Sequence, residues 1–277
     1  MNVHTFSHEA MATTYRIHVA DQEANYARQA AAAAFRELDR IENDLSRFIE
    51  SSDIARINRL PEGGSTVIGE TTLACLTLAA HLSDLTGGTF DPAYASTRPP
   101  AAPGEDPPLY ALDAAHHLLT SLCPRLHLDL GAIGKGYALD VMADVMREWD
   151  VSAACLDSGG STVLALDAPA GAPGWPVGVG EEPGRRRFQL TTRALAGSGL
   201  AVQGEHLRDP RTGGAAQRRN RVWAFAPGGA MADALSTAFF VMDDAGIVAC
   251  CARQSDLGAA IAGEDGTLRL IGVTARG

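Results

Sequence analysis

A carboxylate and a hydroxyl stand one helical turn apart in the last quarter of the chain. Asp233 and Thr237 lie in a segment, residues 231–240, with helical character, so both side chains are expected on the same face. Oxygen atoms of these two kinds are suitable ligands for Mg²⁺. The alternative is that Thr237 hydrogen-bonds within its own helix, which the pair taken alone favours. A metal site at this helix therefore needs support from other residues.

A glycine-rich turn at residues 131–136 contains Lys135. Apolar residues alternate before it, from Leu126 to Leu130, and predict a strand, whereas the helical spacing that begins at Tyr137 predicts a helix. Glycines let a backbone turn tightly, and N–H groups at a helix start can meet an anion. We therefore predict a phosphate-bearing ligand here, with a plain strand-to-helix connection as the alternative. The glycine spacing is that of neither a P-loop nor a dinucleotide-binding fingerprint.

A histidine lies shortly before the dipeptide Asp209-Pro210. Because histidine titrates near neutrality, His206 is a candidate general base, although an ordinary loop residue fits the same pattern. Asp91 also stands before a proline, and a turn-forming role is the simpler interpretation there.

The composition is typical of a globular protein, and the charge limits the classes of partner that the protein is expected to bind. The 277 residues are 46% hydrophobic and carry a formal net charge of −10, which argues against a nucleic-acid surface. An anionic ligand would therefore need local cations or a metal ion. The five cysteines have no metal-binding spacing and are expected to be buried thiols in a reducing compartment. With no signal-like N-terminus and no run that could span a bilayer, the sequence predicts a cytoplasmic protein.

The elements that must position these residues follow from hydrophobic periodicity. Helices are predicted at residues 27–45, 51–58, 70–85, 137–149 and 231–240. Strands are predicted at residues 15–19, 126–130, 151–156, 162–166, 177–179, 187–191 and 222–226. A proline-rich stretch at about residues 96–108 is interpreted as a surface loop.

Four segments resemble, in this order, the ApbE family, the FAD:protein FMN transferases. They are Gly88-Thr89-Phe90-Asp91-Pro92, the segment from Leu128 to Ala138, the segment from His206 to Gly213, and the segment from Ala232 to Ala238. Supporting matches are Met11-Ala12-Thr13, the Ser46, Ser52 and Asn58 region, Gly159-Gly160 and Ser198-Gly199. Together they cover nearly the whole chain, and their order and spacing make the resemblance specific.

The resemblance implies an α+β fold with T-fold-related mixed sheets, packed helices and an FAD cleft between the halves, in a single domain over residues 1–277. It also implies an activity. Family members bind FAD with Mg²⁺ and move FMN onto a serine or threonine hydroxyl of an acceptor flavoprotein subunit, releasing AMP.

The resemblance further implies roles for individual residues. Mg²⁺ would be held by the side chains of Asp233 and Thr237 and by the backbone carbonyl of Ala132. FAD would be contacted by Met11, Phe48, Thr89, Phe90, Asp91, Asp129, Lys135, Arg208 and Ser236. His206 is the candidate base for the acceptor hydroxyl, with Asp209 and then Asp91 as weaker candidates.

Two positions depart from the family pattern. Gly197 stands where the family commonly has the threonine of Thr-Ser-Gly, and Arg208 stands where an apolar residue is common. Two alternatives to the transferase stay open. One is a Mg²⁺-dependent FAD pyrophosphatase, in which water replaces the acceptor and the same motifs are needed. The other is a non-catalytic FAD-binding protein, which the departures at Gly197 and Arg208 favour.

Overall fold

The computed structural model describes residues 2–100, 107–180, 184–199, 221–263 and 265–272. The helices in these ranges are α1 Ala24–Leu45, α2 Asp53–Ile57, α3 Glu70–Leu85, α4 Gly134–Glu148, α5 Gly229–Val241 and α6 Asp244–Arg253. The strands are β1 Val3–Ala10, β2 Thr13–Ala20, β3 Ser65–Val67, β4 Tyr110–Asp113, β5 Leu118–Ser121, β6 Ala154–Ser158, β7 Thr162–Ala165, β8 Trp175–Val179, β9 Arg186–Leu190, β10 Arg193–Gly199, β11 Arg221–Ala226, β12 Gly258–Ala262 and β13 Leu268–Gly272.

One large sheet organises the fold. Its eight strands follow the order β1-β2-β6-β7-β10-β11-β12-β13, and two smaller sheets have the orders β3-β5-β4 and β8-β9. The predicted α+β class is confirmed. Every strand pairing in the described part of the chain is antiparallel, which refines the expected mixed sheets.

The two faces of the large sheet are buried by different partners. In β2 the alternating residues Tyr15, Ile17 and Val19 are fully buried within the core that the helices build with the sheet. A second hydrophobic cluster contains residues of the β8-β9 hairpin and of the large sheet. Its members include Trp175, Phe188, Trp223 and Phe225. All five cysteines are buried and free, as the sequence predicts. None of the helices in the described ranges is long and apolar enough for a membrane span.

The predicted strand over residues 126–130 is wrong. Burial alternates along the segment, with Leu126, Leu128 and Leu130 buried, but it joins none of the described sheets. Side chains and a loop provide hydrogen bonds to its backbone instead. The side-chain oxygen of Asn58 accepts from the N–H of Leu128 at 2.7 Å, and the side-chain nitrogen of Asn58 donates to the carbonyl of Leu128 at 2.9 Å. The N–H of Asp129 donates to the carbonyl of Pro92 at 2.8 Å. Alternation of apolar residues predicts which side chains are buried, but it does not show which groups form hydrogen bonds with the backbone.

Candidate active site

The first turns of α4 and α5 meet at two glycines. A Cβ atom on Gly136 would lie 2.1 Å from the carbonyl oxygen of Gly229, so a side chain at Gly136 would prevent this approach of the two backbones. In addition, a carboxylate on each helix accepts hydrogen bonds from backbone N–H groups at the start of the other helix. Asp233 of α5 accepts from the N–H of Gly136 at 3.1 Å, and Asp140 of α4 accepts from the N–H groups of Gly229 and Ala230 at 2.6 and 2.8 Å. These contacts fix how the two helix starts are placed relative to each other.

Asp233 is 6% exposed, and its carboxylate is surrounded by polar groups from other elements. One oxygen accepts from the Thr162 hydroxyl at 3.3 Å, and the other lies 3.8 Å from Nζ of Lys135. Burial, followed by the negative charge of Asp233, raises the pKa of Tyr15. A buried carboxylate is stabilised by a cation close to it, and Lys135 is one such cation.

The hydroxyl of Thr237 is buried and has no hydrogen-bond partner among the described residues. The bond within the helix that was the alternative for Thr237 is therefore not formed in the structure. Its neighbour Ser236 takes such a bond instead, donating to the carbonyl of Asp233 at 2.9 Å, and pairs with the hydroxyl of Ser198 at 2.9 Å. A buried oxygen without a partner, one turn from a buried carboxylate, is a donor set that fits a hard cation such as Mg²⁺.

A cavity of about 300 Å³ brings together four residues predicted to contact FAD. They come from three distant segments of the chain and are Met11, Phe48, Asp129 and Lys135. Arg47 lies among them, with Nε 3.4 Å from Asp129 and its guanidinium carbon 4.5 Å from the ring centre of Phe48. The Phe48 ring is 82% exposed, so it offers an open apolar face at the cavity rim.

Lys135 connects this cavity to the α5 carboxylate. Its ammonium donates to the carbonyl of Gly131 at 2.8 Å and lies 3.8 Å from the carboxylate of Asp233. The glycine turn itself is tightened by Asp129, which accepts from the N–H of Gly131 at 2.9 Å. A positive charge thus sits between the cavity and the candidate metal ligands, where an anionic group could bridge them.

The Met11 turn between β1 and β2 also lines the cavity, and its backbone is strained. Met11 and Ala12 have φ angles of 49° and 58°, in the left-handed region where each non-glycine residue costs about 1–2 kcal/mol. The turn is held by Glu42 of α1, which accepts from the N–H of Met11 at 2.7 Å, and by the Tyr15 hydroxyl, which donates to its sulfur at 3.2 Å. Sequence reasoning missed Glu42, because nothing in its local pattern distinguishes it from the other charged residues of α1.

A second cavity, of about 880 Å³, contains Asp91. Asp91 accepts from the N–H of Ala93 at 2.8 Å and from Arg98 at 3.1 Å, as a turn-forming carboxylate would. One backbone hydrogen bond connects the two linings, because the N–H of Asp129 in the smaller cavity donates to the carbonyl of Pro92 in the larger one.

Thr89 and Phe90, also predicted to contact FAD, lie outside both cavity linings, with exposures of 2% and 3%. The Thr89 hydroxyl donates to the carbonyl of Thr86 at 2.6 Å, and Phe90 packs in the core. Their side chains therefore support the turn that presents Asp91.

His206, Arg208 and Asp209 lie outside the described residues. The predicted roles of these three side chains stay predictions.

Gly197 faces an aromatic ring. It lies directly opposite Trp223 in the β10-β11 pairing, and a Cβ on Gly197 would be 2.8 Å from two atoms of that indole. The next residue, Ser198, contacts Ser236 of α5, and successive strand residues point to opposite faces. The departure at Gly197 is therefore explained by packing against Trp223, on the face away from α5.

Three solved structures share the overall fold of this chain. The flavinyl transferase ApbE of Pseudomonas stutzeri, in its apo form, aligns with a TM-score of 0.81 at 20% identity, over 98% of this chain and 94% of that one. The flavin transferase ApbE of Vibrio cholerae aligns with a TM-score of 0.78 at 20% identity, over 97% of both chains. The ApbE protein of Thermotoga maritima has a TM-score of 0.80 at 25% identity, over 98% of this chain and 97% of that one.

The chain belongs to the ApbE family, which matches it over residues 11–261. Two curated relatives bear the name FAD:protein FMN transferase. That of Vibrio cholerae is 24% identical over 208 residues, which are 64% of this chain and 62% of the relative. That of Treponema pallidum is 25% identical over 243 residues, which are 72% of this chain and 67% of the relative. The first match thus spans less than two thirds of the relative's length.

Proposed function

We propose that this chain is a Mg²⁺-dependent FAD:protein FMN transferase. It would move FMN from FAD to a serine or threonine hydroxyl of an acceptor flavoprotein subunit and release AMP. Family membership and the names of the relatives support the activity. The observation that carries the metal assignment is the unpartnered, buried hydroxyl of Thr237 one turn from the buried carboxylate of Asp233.

In this proposal Asp233, Thr237 and the carbonyl of Ala132 hold Mg²⁺, which when bound offsets negative charge on the phosphoryl oxygens of FAD. Lys135 places a second positive charge between the ligands and the cavity, so it binds the pyrophosphate directly. Met11, Phe48 and Asp129 would contact the rest of FAD along the same cavity. These local charges explain how a chain with a formal net charge of −10 holds an anion.

The transfer exchanges one phosphorus–oxygen bond for another. The acceptor oxygen bonds to the phosphorus that carries the riboflavin part, the bond from that phosphorus to the bridging oxygen breaks, and AMP leaves with the bridging oxygen. The hydroxyl proton goes to a base, for which His206 is proposed, with Asp209 and then Asp91 as alternatives. Arg208 and Ser236 would complete the proposed FAD contacts, with Thr89 and Phe90 contributing through their backbone, because their side chains are buried.

We also propose that residues 1–277 form one domain that acts in the cytoplasm without a nucleic-acid partner. The formal net charge of −10 supports the last point. The pyrophosphatase and the non-catalytic binder are the rival functions. Gly197 and Arg208 are the two departures that favour the non-catalytic binder, and packing against Trp223 gives Gly197 a structural explanation.

The test incubates the purified protein with FAD and Mg²⁺, with and without a threonine-containing fragment of a known flavinylated subunit. Chromatography follows AMP, and mass spectrometry follows the acceptor. AMP together with an FMN-sized mass gain supports the transferase, and Asp233→Ala is expected to abolish both. The matched control is Asp144→Ala, because Asp144 is a 70% exposed carboxylate that pairs with Arg147 and is not a proposed ligand.

Other results of the same assay separate the rivals. AMP and FMN without a gain in acceptor mass, repeated over several acceptor fragments, would support the pyrophosphatase. Bound FAD that stays intact would support the non-catalytic binder.

A further inference from the structure

We infer that Asp140 is a positioning residue for the metal site. Its carboxylate holds the first turn of α5 against α4 and so sets where Asp233 and Thr237 stand relative to the carbonyl of Ala132. The inference rests on the proposed function, because it concerns the Mg²⁺ site named there.

Asp140 supplies the cap that α5 lacks locally. The residue before this helix is Gly228, which has no side chain and makes no side-chain cap. The two oxygens of Asp140 instead accept from the N–H groups of the first two helical residues, Gly229 and Ala230, at 2.6 and 2.8 Å. A carboxylate at a helix N-terminus is also favoured by the helix dipole. The fit is close, since a Cβ on Gly228 would lie 3.2 Å from Oδ1 of Asp140.

The proposed ligands are split between the two helices that Asp140 joins. Ala132 lies just before α4, whereas Asp233 and Thr237 lie in α5, so the distance between the ligands depends on how the helices are placed. The other reciprocal contact, from Gly136 to Asp233, uses a carboxylate that is itself a proposed ligand. Of the two carboxylates that connect the helices, Asp140 is the one that is not a proposed metal ligand. Its loss is therefore expected to weaken metal binding without removing a ligand.

The test compares Asp140→Asn with Asp144→Asn in the full-length protein. Asparagine keeps the shape of Asp140 but replaces one acceptor oxygen with an N–H donor, which would face a backbone N–H. Asp144 is the matched control, because it lies one turn along the same helix, is 70% exposed and pairs with Arg147. The readout is the affinity for Mg²⁺, measured by calorimetry at a temperature where circular dichroism shows both variants folded.

Asp140→Asn is expected to weaken Mg²⁺ binding about tenfold or more, as is typical when a group that orients a ligand is removed. Asp144→Asn is expected to leave the affinity unchanged. The Mg²⁺ concentration for half-maximal AMP release should rise in parallel, while the KM for FAD at saturating Mg²⁺ stays the same. A general loss of structure would change both constants.

Equal Mg²⁺ affinity in wild type and Asp140→Asn would overturn the inference and leave the proposed function intact. Absence of Mg²⁺ binding by the wild type would overturn the metal site itself. If Asp140→Asn does not fold, hydrogen exchange on the wild type decides. Saturating Mg²⁺ should then slow exchange at the amides of Gly229 and Ala230, and unchanged exchange there would contradict the inference.

Discussion

Nζ of Lys135 lies 3.8 Å from Oδ2 of Asp233, so the first turn of α4 brings a cation to the carboxylate of α5. The same ammonium donates to the carbonyl of Gly131 and lines the smaller cavity. One side chain therefore links the proposed metal ligands to the proposed FAD contacts. In the proposed site the positive charge of Lys135 would attract the pyrophosphate, and the negative charge of Asp233 would attract the metal ion.

Replacing Lys135 by methionine should weaken FAD binding. A hydrogen bond to a charged group contributes about 1.5–3 kcal/mol, so the dissociation constant for FAD should rise about 10- to 100-fold. The measurement is quenching of flavin fluorescence on titration with protein. Arg147→Met is the control, since Arg147 is a half-exposed cation of the same helix that pairs with Asp144. An unchanged dissociation constant for Lys135→Met would remove Lys135 from the FAD site.

Asp140 should make stability depend on pH in the acidic range. Burial raises its pKa from 3.8 to about 6, against the two backbone hydrogen bonds that lower it. Because the folded protein binds this proton more tightly than the unfolded chain, the stabilising contribution is complete below pH 3.8 and is lost as the pH rises through about 6. The loss amounts to roughly 3 kcal/mol.

Asparagine at this position does not titrate, so the difference between wild type and Asp140→Asn isolates the effect. Urea unfolding should show wild type losing stability relative to Asp140→Asn between about pH 4 and pH 7. A difference that is constant with pH, or that grows in favour of wild type, would contradict the prediction.

Gly197→Thr, which restores the residue common in the family, should destabilise this protein. The new Cβ would lie 2.8 Å from the indole of Trp223, which is 6% exposed and packed in the second core cluster. Overpacking of this kind costs about 1–3 kcal/mol, which thermal unfolding would detect. In a Trp223→Leu background the same substitution should cost less than half as much. Equal costs in the two backgrounds would show that the indole is not the cause.

Ala12→Gly should stabilise the protein by relieving the left-handed backbone at the Met11 turn. Ala12 has a φ of 58°, and glycine adopts this conformation without a steric cost, so a gain of about 1 kcal/mol is expected. The same substitution at Ala32, an exposed position inside α1, should instead destabilise by about 0.5–1 kcal/mol. Chemical denaturation of the two variants gives the signs, and a loss of stability in Ala12→Gly would contradict the prediction.

The sequence by itself determined the features that depend only on residues near one another in the chain. The apolar stripe of α1 repeats with helical spacing, and Asp233 and Thr237 are neighbours on one helix face because they are four residues apart. The order of the four family segments was likewise readable along the chain. Strand β1 was missed, because residues along it are alternately exposed and half-buried and its hydrophobic alternation is correspondingly weak.

Only the tertiary structure decided which distant groups meet. Asp140 caps a helix that begins 89 residues later, and Glu42 holds the turn at Met11, 31 residues earlier. Asn58 takes the backbone bonds that a neighbouring strand would otherwise supply to Leu128. Each contact joins an ordinary polar residue to a backbone group, and a backbone group has no side-chain signature in the sequence. Such partners are therefore set by how the sheet and helices pack, which local periodicity does not encode.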